Sequence, residues 1–215
     1  MYRIAVDGPG GAGKSTIAKL IAKEKKIDYI DTGAMYRAIA YKMHTKGVSA
    51  DDIEAIEEVL ADTDIDFSDE NIYLDGENVN SLIRTPEMSM KASEFSSLPQ
   101  VREKLVQIQR NMASHKSVIM DGRDIGSNVL KDAEYKFFLT ADPMERAKRR
   151  YDELVSKGEK ADLDEVYRDI VRRDENDINR KINPLVQAED AVLVDTTHMS
   201  IDEVVNHICS MIDED

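Results

Sequence analysis

The segment GPGGAGKST, residues 8–16, is the most informative part of the sequence for the fold. It directly follows the apolar run RIAVD, residues 3–7, which predicts a short buried strand, and it leads into a helical pattern of apolar residues. Its spacing, G-x4-G-K-S, is that of a phosphate-binding loop (P-loop), and the loop stands between a strand and a helix as that motif requires. Glycines allow consecutive backbone N–H groups to point at phosphate oxygens, and the positive end of the helix favours an anion. The stretch therefore predicts a site for a nucleoside triphosphate.

Two side chains of this loop have predicted chemical roles. Lys14 is expected to reach the β- and γ-phosphates of ATP, and the Ser15 hydroxyl is expected to bind Mg²⁺. Asp121 ends a later apolar run and is expected near the same metal ion, although it could instead only turn the chain into Gly122. The residues of the loop predicted to bind ATP are Gly8, Pro9, Gly10, Gly11, Ala12, Gly13, Lys14, Ser15 and Thr16.

Apolar runs alternate with helical patterns along most of the chain. After residues 3–7, further strands are predicted at residues 29–31, 117–121, 135–140 and 191–195. Short apolar strands separated by helices indicate a parallel sheet covered on both faces. The predicted fold is α/β, with a five-stranded parallel sheet of the P-loop NTPase type and helices on both faces.

The middle of the chain departs from this alternation. The runs IDFS, NIYL and ENVNSLI, with Asp75-Gly76 between the last two, predict a small antiparallel insert at about residues 62–84. It lies within a proposed acceptor-binding region, residues 32–105. Two predicted helices joined by the polar segment SKGEKAD suggest a helical lid over residues 146–172. All these parts are expected to belong to one domain, residues 1–215.

The charge of the chain limits its partners. Its 215 residues include 43 acidic and 29 basic ones, giving a formal net charge of −14. Such a charge opposes encounter with nucleic acid and with anionic membranes. No run is long and apolar enough to span a membrane and no cleavable leader is apparent, so we expect a cytoplasmic monomer. The one cysteine, Cys209, lies among apolar residues and is expected in the core.

Arginines are concentrated near the predicted lid. Arg173, Asp177 and Arg180 are spaced to share one face of a predicted helix, where they could form either a ligand site or an ordinary surface ion-pair ladder. A second group could clamp a polyphosphate, because the guanidinium fork binds phosphate bidentately, or could equally form a solvated charged face. This second group consists of Arg146, Arg149 and Arg150.

The four histidines show neither metal-ligand spacing nor a catalytic triad partner. That absence is compatible with phosphoryl transfer to a phosphate acceptor, since a phosphate oxygen is already anionic and needs no strong general base. Such a reaction needs charge neutralisation and in-line positioning instead.

Several motifs together resemble those of the bacterial cytidylate (CMP) kinases, within the nucleoside monophosphate kinase family. The matching motifs are IAVDGPGGAGKST, DTGAMYRA, SLIRTPEMS, LPQVREKLVQIQR, IMDGRDIG and RRDENDINRKINPLV. The resemblance covers nearly the whole chain. It implies transfer of the γ-phosphoryl group of ATP to CMP or dCMP, assisted by Mg²⁺.

The resemblance also implies roles for individual residues. Thr32, Arg102 and Asp124 would contact the cytosine, while Arg37 and Arg123 would hold the acceptor phosphate and act with Lys14 in catalysis. The remaining acceptor residues line the pocket or meet the ribose and base: Tyr36, Arg173, Asp177 and Arg180.

Two other functions fit the P-loop. A kinase for another small acceptor, such as adenylate or shikimate, is one, but adenylate kinases carry Asp-Gly-hydrophobic-Pro-Arg where this chain has Asp-Gly-Arg-Asp at residues 121–124. A nucleotide-dependent switch is the other, and it would carry an Asn-Lys-x-Asp motif; the dipeptide Asn-Lys does not occur in this chain.

Overall fold

The computed structural model describes residues 1–68 and 71–213, so two residues of the predicted insert, 69–70, lie outside the described part. The strands are β1 (Arg3–Asp7), β2 (Asp28–Asp31), β3 (Ile65–Ser68), β4 (Asn71–Leu74), β5 (Glu77–Asn78), β6 (Val118–Gly122), β7 (Tyr135–Thr140) and β8 (Val192–Asp195). The helices are α1 (Lys14–Lys25), α2 (Thr32–Thr45), α3 (Ile53–Ala61), α4 (Pro86–Phe95), α5 (Pro99–Ala113), α6 (Pro143–Ser156), α7 (Leu163–Ile178) and α8 (Ile201–Asp213).

Five strands form a parallel sheet in the order β2-β6-β1-β7-β8, which confirms the predicted fold class. The central strand β1 pairs with β6 on one side and with β7 on the other, so that Ile4 lies opposite both Ile119 and Tyr135. Ile4, Ala5 and Val6 are fully buried, as a central parallel strand between two layers requires. The carboxyl ends of the strands meet at one edge of the sheet, where ligands bind in open α/β folds.

The chain divides into two compact units. The first unit consists of residues 1–29 and 117–215, and the second of residues 30–116. The first unit contains the P-loop, and its core joins β1 to the first and last helices: Val6, Ile17 and Ile208 belong to one buried cluster. Cys209 is buried in the same cluster, as predicted. Our assignment of residues 1–215 to one kinase domain stays a prediction.

The second unit contains a small antiparallel sheet of β3, β4 and β5, which confirms the predicted insert. Asp75 and Gly76 form the tight turn between β4 and β5 with φ angles of 52° and 83°. Both values lie in the left-handed region that a type I′ hairpin turn requires, and that Asp-Gly adopts readily. The turn is anchored to α2 by the Lys42 ammonium, whose Nζ lies 2.5 Å from Asp75 Oδ2.

Two features of the second unit differ from expectation. The run ENVNSLI is a strand only over Glu77–Asn78, because the N–H groups of Leu82 and Ile83 both bond to the Val79 carbonyl and turn the chain. Helix α4 was not predicted, although its start carries a clear signal. The Thr85 hydroxyl accepts a hydrogen bond from the Met88 N–H at 3.1 Å, and Pro86 occupies the first turn, where it costs no hydrogen bond.

Candidate active site

The P-loop links β1 to α1 through backbone conformations that favour glycine. Gly8, Gly11 and Gly13 have φ angles of 144°, 76° and 89°. A Cβ atom at Gly8 would lie 2.0 Å from the Leu139 carbonyl oxygen, so that any other residue would collide with β7. Gly13 is the N-cap of α1, and among the described residues no side chain caps this helix. The start of α1 therefore has the form of an anion site.

Lys14 is buried beside the P-loop. Its Nζ donates a hydrogen bond to the Pro9 carbonyl oxygen at 2.7 Å. Burial lowers the pKa of the Lys14 ammonium, the nearby Arg123 guanidinium lowers it further, and the carboxylates of Asp121 and Asp7 oppose the shift. A bound polyphosphate would supply the negative charge that this buried ammonium needs.

Asp121 lies next to the P-loop at the end of β6. Its Oδ2 accepts a hydrogen bond from the Ser15 hydroxyl at 2.7 Å, and its Oδ1 accepts one from the Tyr29 hydroxyl at 2.8 Å. A hydroxyl and a carboxylate side by side offer the hard oxygen ligands that Mg²⁺ prefers, so these residues fit the ion. Sequence reasoning missed Tyr29, because nothing in a short strand shows that its hydroxyl orients a carboxylate 92 residues later.

Arg123 follows directly after β6 and lies close to the P-loop. A Cβ atom on Gly10 would be 3.7 Å from one terminal nitrogen of its guanidinium. The Arg123 Nε donates to Asp177 Oδ2 at 2.7 Å. Burial opposes the charge of Arg123, but Asp177, Asp121 and Asp174 raise its pKa, so that it remains a cation. The two side chains expected to meet the acceptor phosphate and ribose are thus paired with each other.

Asp124 and Arg180 form a second ion pair in the first unit. Arg180 lies with one terminal nitrogen 3.4 Å from Asp124 Oδ1, and the Asn128 amide donates to Asp124 Oδ2 at 3.1 Å. Both partners of the ion pair are nearly buried. The prediction that Arg180 shares a helix face with Arg173 and Asp177 is wrong, because α7 ends at Ile178. Arg180 reaches Asp124 from the irregular segment beyond the helix.

Arg173 lies on α7 and is partly buried. Its guanidinium makes no hydrogen bond to any residue that the structure describes. Burial lowers the pKa of Arg173, Asp169 opposes the shift, and the neighbouring cations Arg150 and Arg123 add to it. The positive charge around Arg173 thus exceeds the negative charge, and an anionic ligand bound there would balance it.

The three arginines of α6 have different surroundings. Arg146 is buried, donates to the Gly10 carbonyl oxygen at 2.8 Å and pairs with Asp174 at 2.6 Å. Arg149 instead holds the segment after β8, with one terminal nitrogen 2.6 Å from the Thr196 carbonyl oxygen. Arg150 pairs at the surface with Glu153. Of these three arginines, Arg146 is the one whose contacts with the described residues include the P-loop backbone.

Asp174 was missed by sequence reasoning. It sits one residue after Arg173 in a highly charged helix, and nothing in that pattern distinguishes it from solvent-facing neighbours. Its Oδ2 holds Arg146, while its Oδ1 is buried and has no hydrogen-bond partner among the described residues. Asp174 therefore orients an arginine at the P-loop.

The second unit carries a separate cluster at the start of α2. Asp31 Oδ1 accepts the Ala34 N–H at 2.8 Å, and Asp31 Oδ2 lies 3.3 Å from Arg37. A Cβ atom on Gly33 would be 3.1 Å from Arg37, so a glycine leaves room for this guanidinium. Arg37 Nε is buried without a hydrogen-bond partner in the described part of the chain. Thr32, the first residue of α2, is buried.

Arg102 and Tyr36 belong to the same unit and lie together. The centre of the Arg102 guanidinium is 5.6 Å from the centre of the Tyr36 ring, a cation–π distance. Arg102 is buried on α5 and donates to the Ser96 carbonyl oxygen at 3.3 Å. Two residues predicted from separate motifs, DTGAMYRA and LPQVREKLVQIQR, therefore form one contact.

Two features are absent from the described residues, a metal-binding cluster and a membrane-spanning helix. No cluster of three or more histidine, cysteine or acidic side chains is arranged to hold a metal ion. Within the same residues, none of the helices has both the length and the apolar character needed to cross a bilayer.

Comparison with known proteins gives concordant matches. A family model described as cytidylate kinase matches residues 4–214. A cytidylate kinase of Clostridioides difficile is 53% identical over 209 residues, 97% of each chain, and one of Caldanaerobacter subterraneus is 51% identical over 96% of this chain and 92% of its own. A solved shikimate kinase from Bacteroides thetaiotaomicron has a TM-score of 0.51 at 14% identity, covering 99% of this chain and 98% of its own. That last likeness concerns the fold alone.

Proposed function

The chain belongs to the cytidylate kinase family, and from that membership we propose that it transfers the γ-phosphoryl group of ATP to CMP and dCMP. An oxygen of the acceptor phosphate attacks the γ-phosphorus in line, the bond to the β-phosphate oxygen breaks, and CDP or dCDP and ADP are released. The observation that carries the proposal is the convergence of Lys14, Arg123 and Arg146 on the glycine loop.

The donor half of the reaction rests on residues of the first unit. Backbone N–H groups of the P-loop and the Lys14 ammonium bind the β- and γ-phosphates, and they stabilise the charge that grows on the β-phosphate oxygens. Arg146 contributes a guanidinium that Asp174 already orients. We also assign Arg149 and Arg150 to ATP, although in the structure they contact Thr196 and Glu153.

Ser15 and Asp121 are the residues that would hold Mg²⁺. The ion would neutralise phosphate charge and fix the geometry of the triphosphate. Tyr29 donates to Asp121 and so keeps its carboxylate in one orientation next to the Ser15 hydroxyl.

Several residues of the second unit are assigned to recognition of the acceptor. In the second unit, Arg37 would neutralise the acceptor phosphate, while Thr32, Tyr36 and Arg102 would contact the cytosine and line its pocket. Arg37 is suited to this task because its buried Nε lacks a protein partner among the described residues. A buried donor of this kind gains most from a charged acceptor.

In the first unit, Asp124 would accept a hydrogen bond from the cytosine amino group, which uracil lacks. Arg123 would bind the acceptor phosphate, and Arg173 and Asp177 would meet the ribose hydroxyls. Arg180 would extend toward the base and phosphate while holding Asp124.

We further propose that the protein acts as a cytoplasmic monomer on small nucleotides and does not bind nucleic acid. The formal net charge of −14 supports the last point, because long-range repulsion opposes encounter with a polyanion.

The test is a coupled assay of ADP formation with ATP and each nucleoside monophosphate in turn. We expect CMP and dCMP to be preferred, and we expect Lys14→Ala to lower kcat by a factor on the order of a hundred or more because it removes transition-state charge stabilisation. A preference for AMP or UMP would contradict the proposed acceptor. ADP formation that does not depend on any acceptor would instead indicate a nucleotide switch.

A further inference from the structure

Asp7 ends the central strand β1, and its carboxylate reaches across the carboxyl edge of the sheet. Its Oδ1 accepts the Ile125 N–H and its Oδ2 accepts the Gly126 N–H, each at 2.7 Å. The side chain is 4% exposed. One buried carboxylate thus ties the end of β1 to the segment that follows β6.

These two bonds hold the start of a short π-helical turn, Ile125–Val129. Asp124 stands at the N-cap of this turn but makes no capping bond with its own side chain. Asp7 satisfies the first backbone donors instead, and the Asp124 carboxylate remains directed at Arg180 and Asn128. Asp7 therefore caps the backbone of this turn, while the Asp124 carboxylate contacts Arg180 and Asn128.

The segment around Gly126 is closely packed. A Cβ atom there would lie 3.1 Å from Lys136 Cδ and 3.4 Å from Asp7 Oδ2. Lys136 is itself held by an ion pair of 2.6 Å with Asp190. The backbone at residues 124–126 is thus fixed by Asp7 on one side and by the Lys136 stem on the other.

Burying the Asp7 carboxylate costs free energy, and this cost indicates that the residue has a role beyond folding. Burial raises the pKa of the Asp7 carboxyl to about 6, the two backbone hydrogen bonds oppose the shift, and the neighbouring Asp124 adds to it. A buried carboxylate beside a second acidic group is an expensive way to end a strand.

We propose that Asp7 is a positioning residue for acceptor selection: its two backbone hydrogen bonds set the place of Asp124, and through it the preference for cytosine over uracil. This inference rests on the proposed function, in which Asp124 accepts the hydrogen bond of the cytosine amino group. Asp7 is not among the residues that we propose to contact either substrate.

The variant Asp7→Asn tests the inference. The amide keeps one acceptor but places an N–H donor against a backbone N–H, so residues 124–126 must shift. We expect the KM for CMP to rise about fivefold or more while the KM for ATP changes less than about twofold. The ratio of kcat/KM for CMP over UMP should fall by about the same fivefold, because UMP makes no use of that hydrogen bond.

A second variant covers the case in which Asp7→Asn does not fold. Gly126→Ala keeps Asp7 but adds a methyl group that contacts the Lys136 side chain and displaces the same segment. It should therefore also lower the ratio of kcat/KM for CMP over UMP.

Asp195→Asn is the matched control, since Asp195 also ends a strand of this sheet and caps local backbone at Thr197. Ile208→Val, a core change in α8, controls for lost stability. Both controls should keep the wild-type ratio.

The outcomes separate the inference from the function on which it rests. If the wild type shows no preference for CMP over UMP, the proposed function is wrong. If the wild type prefers CMP and the Asp7 and Gly126 variants lose activity equally for both acceptors, Asp7 acts through Lys14 or through stability and the inference is overturned. An isolated rise in the KM for ATP would overturn it as well.

Discussion

Asp177 and Arg123 form an ion pair with each other, although each is proposed to meet the acceptor. Their Nε to Oδ2 distance of 2.7 Å describes a charge-assisted hydrogen bond, not a passing contact. The proposed ribose contact of Asp177 would have to share or replace the bond to Arg123, and part of the binding free energy of the acceptor would offset the loss of that bond.

We expect Asp177→Ala to weaken both acceptors and to weaken CMP more than dCMP. The common loss arises because Arg123 loses its partner, and the additional loss of about fivefold in kcat/KM for CMP arises because only CMP has a 2′-hydroxyl. Steady-state kinetics with both acceptors measures the two losses. Glu175→Ala, which removes an exposed carboxylate of the same helix, is the control. Equal losses for CMP and dCMP would remove the ribose role from Asp177.

How far single residues can be predicted depends on where their partners lie in the sequence. Lys14 and Ser15 follow from a spacing within nine residues, whereas Asp7 and Tyr29 acquire their roles from partners 118 and 92 residues away. A single strand end does not specify which distant backbone it will cap. These contacts appear only once the sheet order is known.

At the scale of elements, the junction of β1, the P-loop and α1 depends on the close approach of Gly8 to β7. The 2.0 Å that would separate a Cβ atom from the Leu139 carbonyl oxygen is far below any van der Waals contact. The φ angle of 144° adds a conformational penalty for any side chain.

Gly8→Ala should therefore lower the free energy of unfolding by about 3 kcal/mol or more, because either β7 or the loop must move. Urea unfolding monitored by circular dichroism measures the change. Gly10→Ala is the matched control: its Cβ would meet only the Arg123 side chain, at 3.7 Å, and its expected cost is less than about 1 kcal/mol. Similar losses for the two variants would show that the contact with Leu139 relaxes freely.

Element boundaries were predicted well where apolar runs are continuous and less well where turns decide. The predicted strands at residues 3–7 and 135–140 match β1 and β7 in full. Helix α7 ends before Arg180, since Asn179 adopts a non-helical conformation and closes the last turn. The pattern of charged residues continues past Asn179, so the sequence contains no clear signal for the end of the helix.

At the scale of the whole molecule, stability should depend on pH through Asp7. The folded-state pKa of Asp7, about 6, lies above the ordinary aspartate value of 3.8, so the folded state binds more protons than the unfolded state between these values. By linkage, the contribution of Asp7 to the free energy of unfolding falls as pH rises through that window.

Relative to Asp7→Asn, the wild type should thus lose roughly 3 kcal/mol of stability between about pH 4 and pH 6.5, and no more above it. Urea unfolding of both proteins across this range measures the difference. Asp195→Asn should show the opposite sign, since Thr197 lowers the pKa of Asp195 and the wild-type advantage therefore grows with pH. A difference between wild type and Asp7→Asn that does not change with pH would mean that Asp7 ionises as readily as in the unfolded chain.

The order of the sheet also limits when the glycine loop can form during translation. Strand β1 is synthesised first, yet its two neighbours are β6 and β7, which emerge more than a hundred residues later. The glycine loop cannot close against the Leu139 carbonyl until β7 has left the exit tunnel. Between the synthesis of β1 and that of β7, a nascent chain therefore carries its nucleotide motif without the strand against which the glycine loop packs.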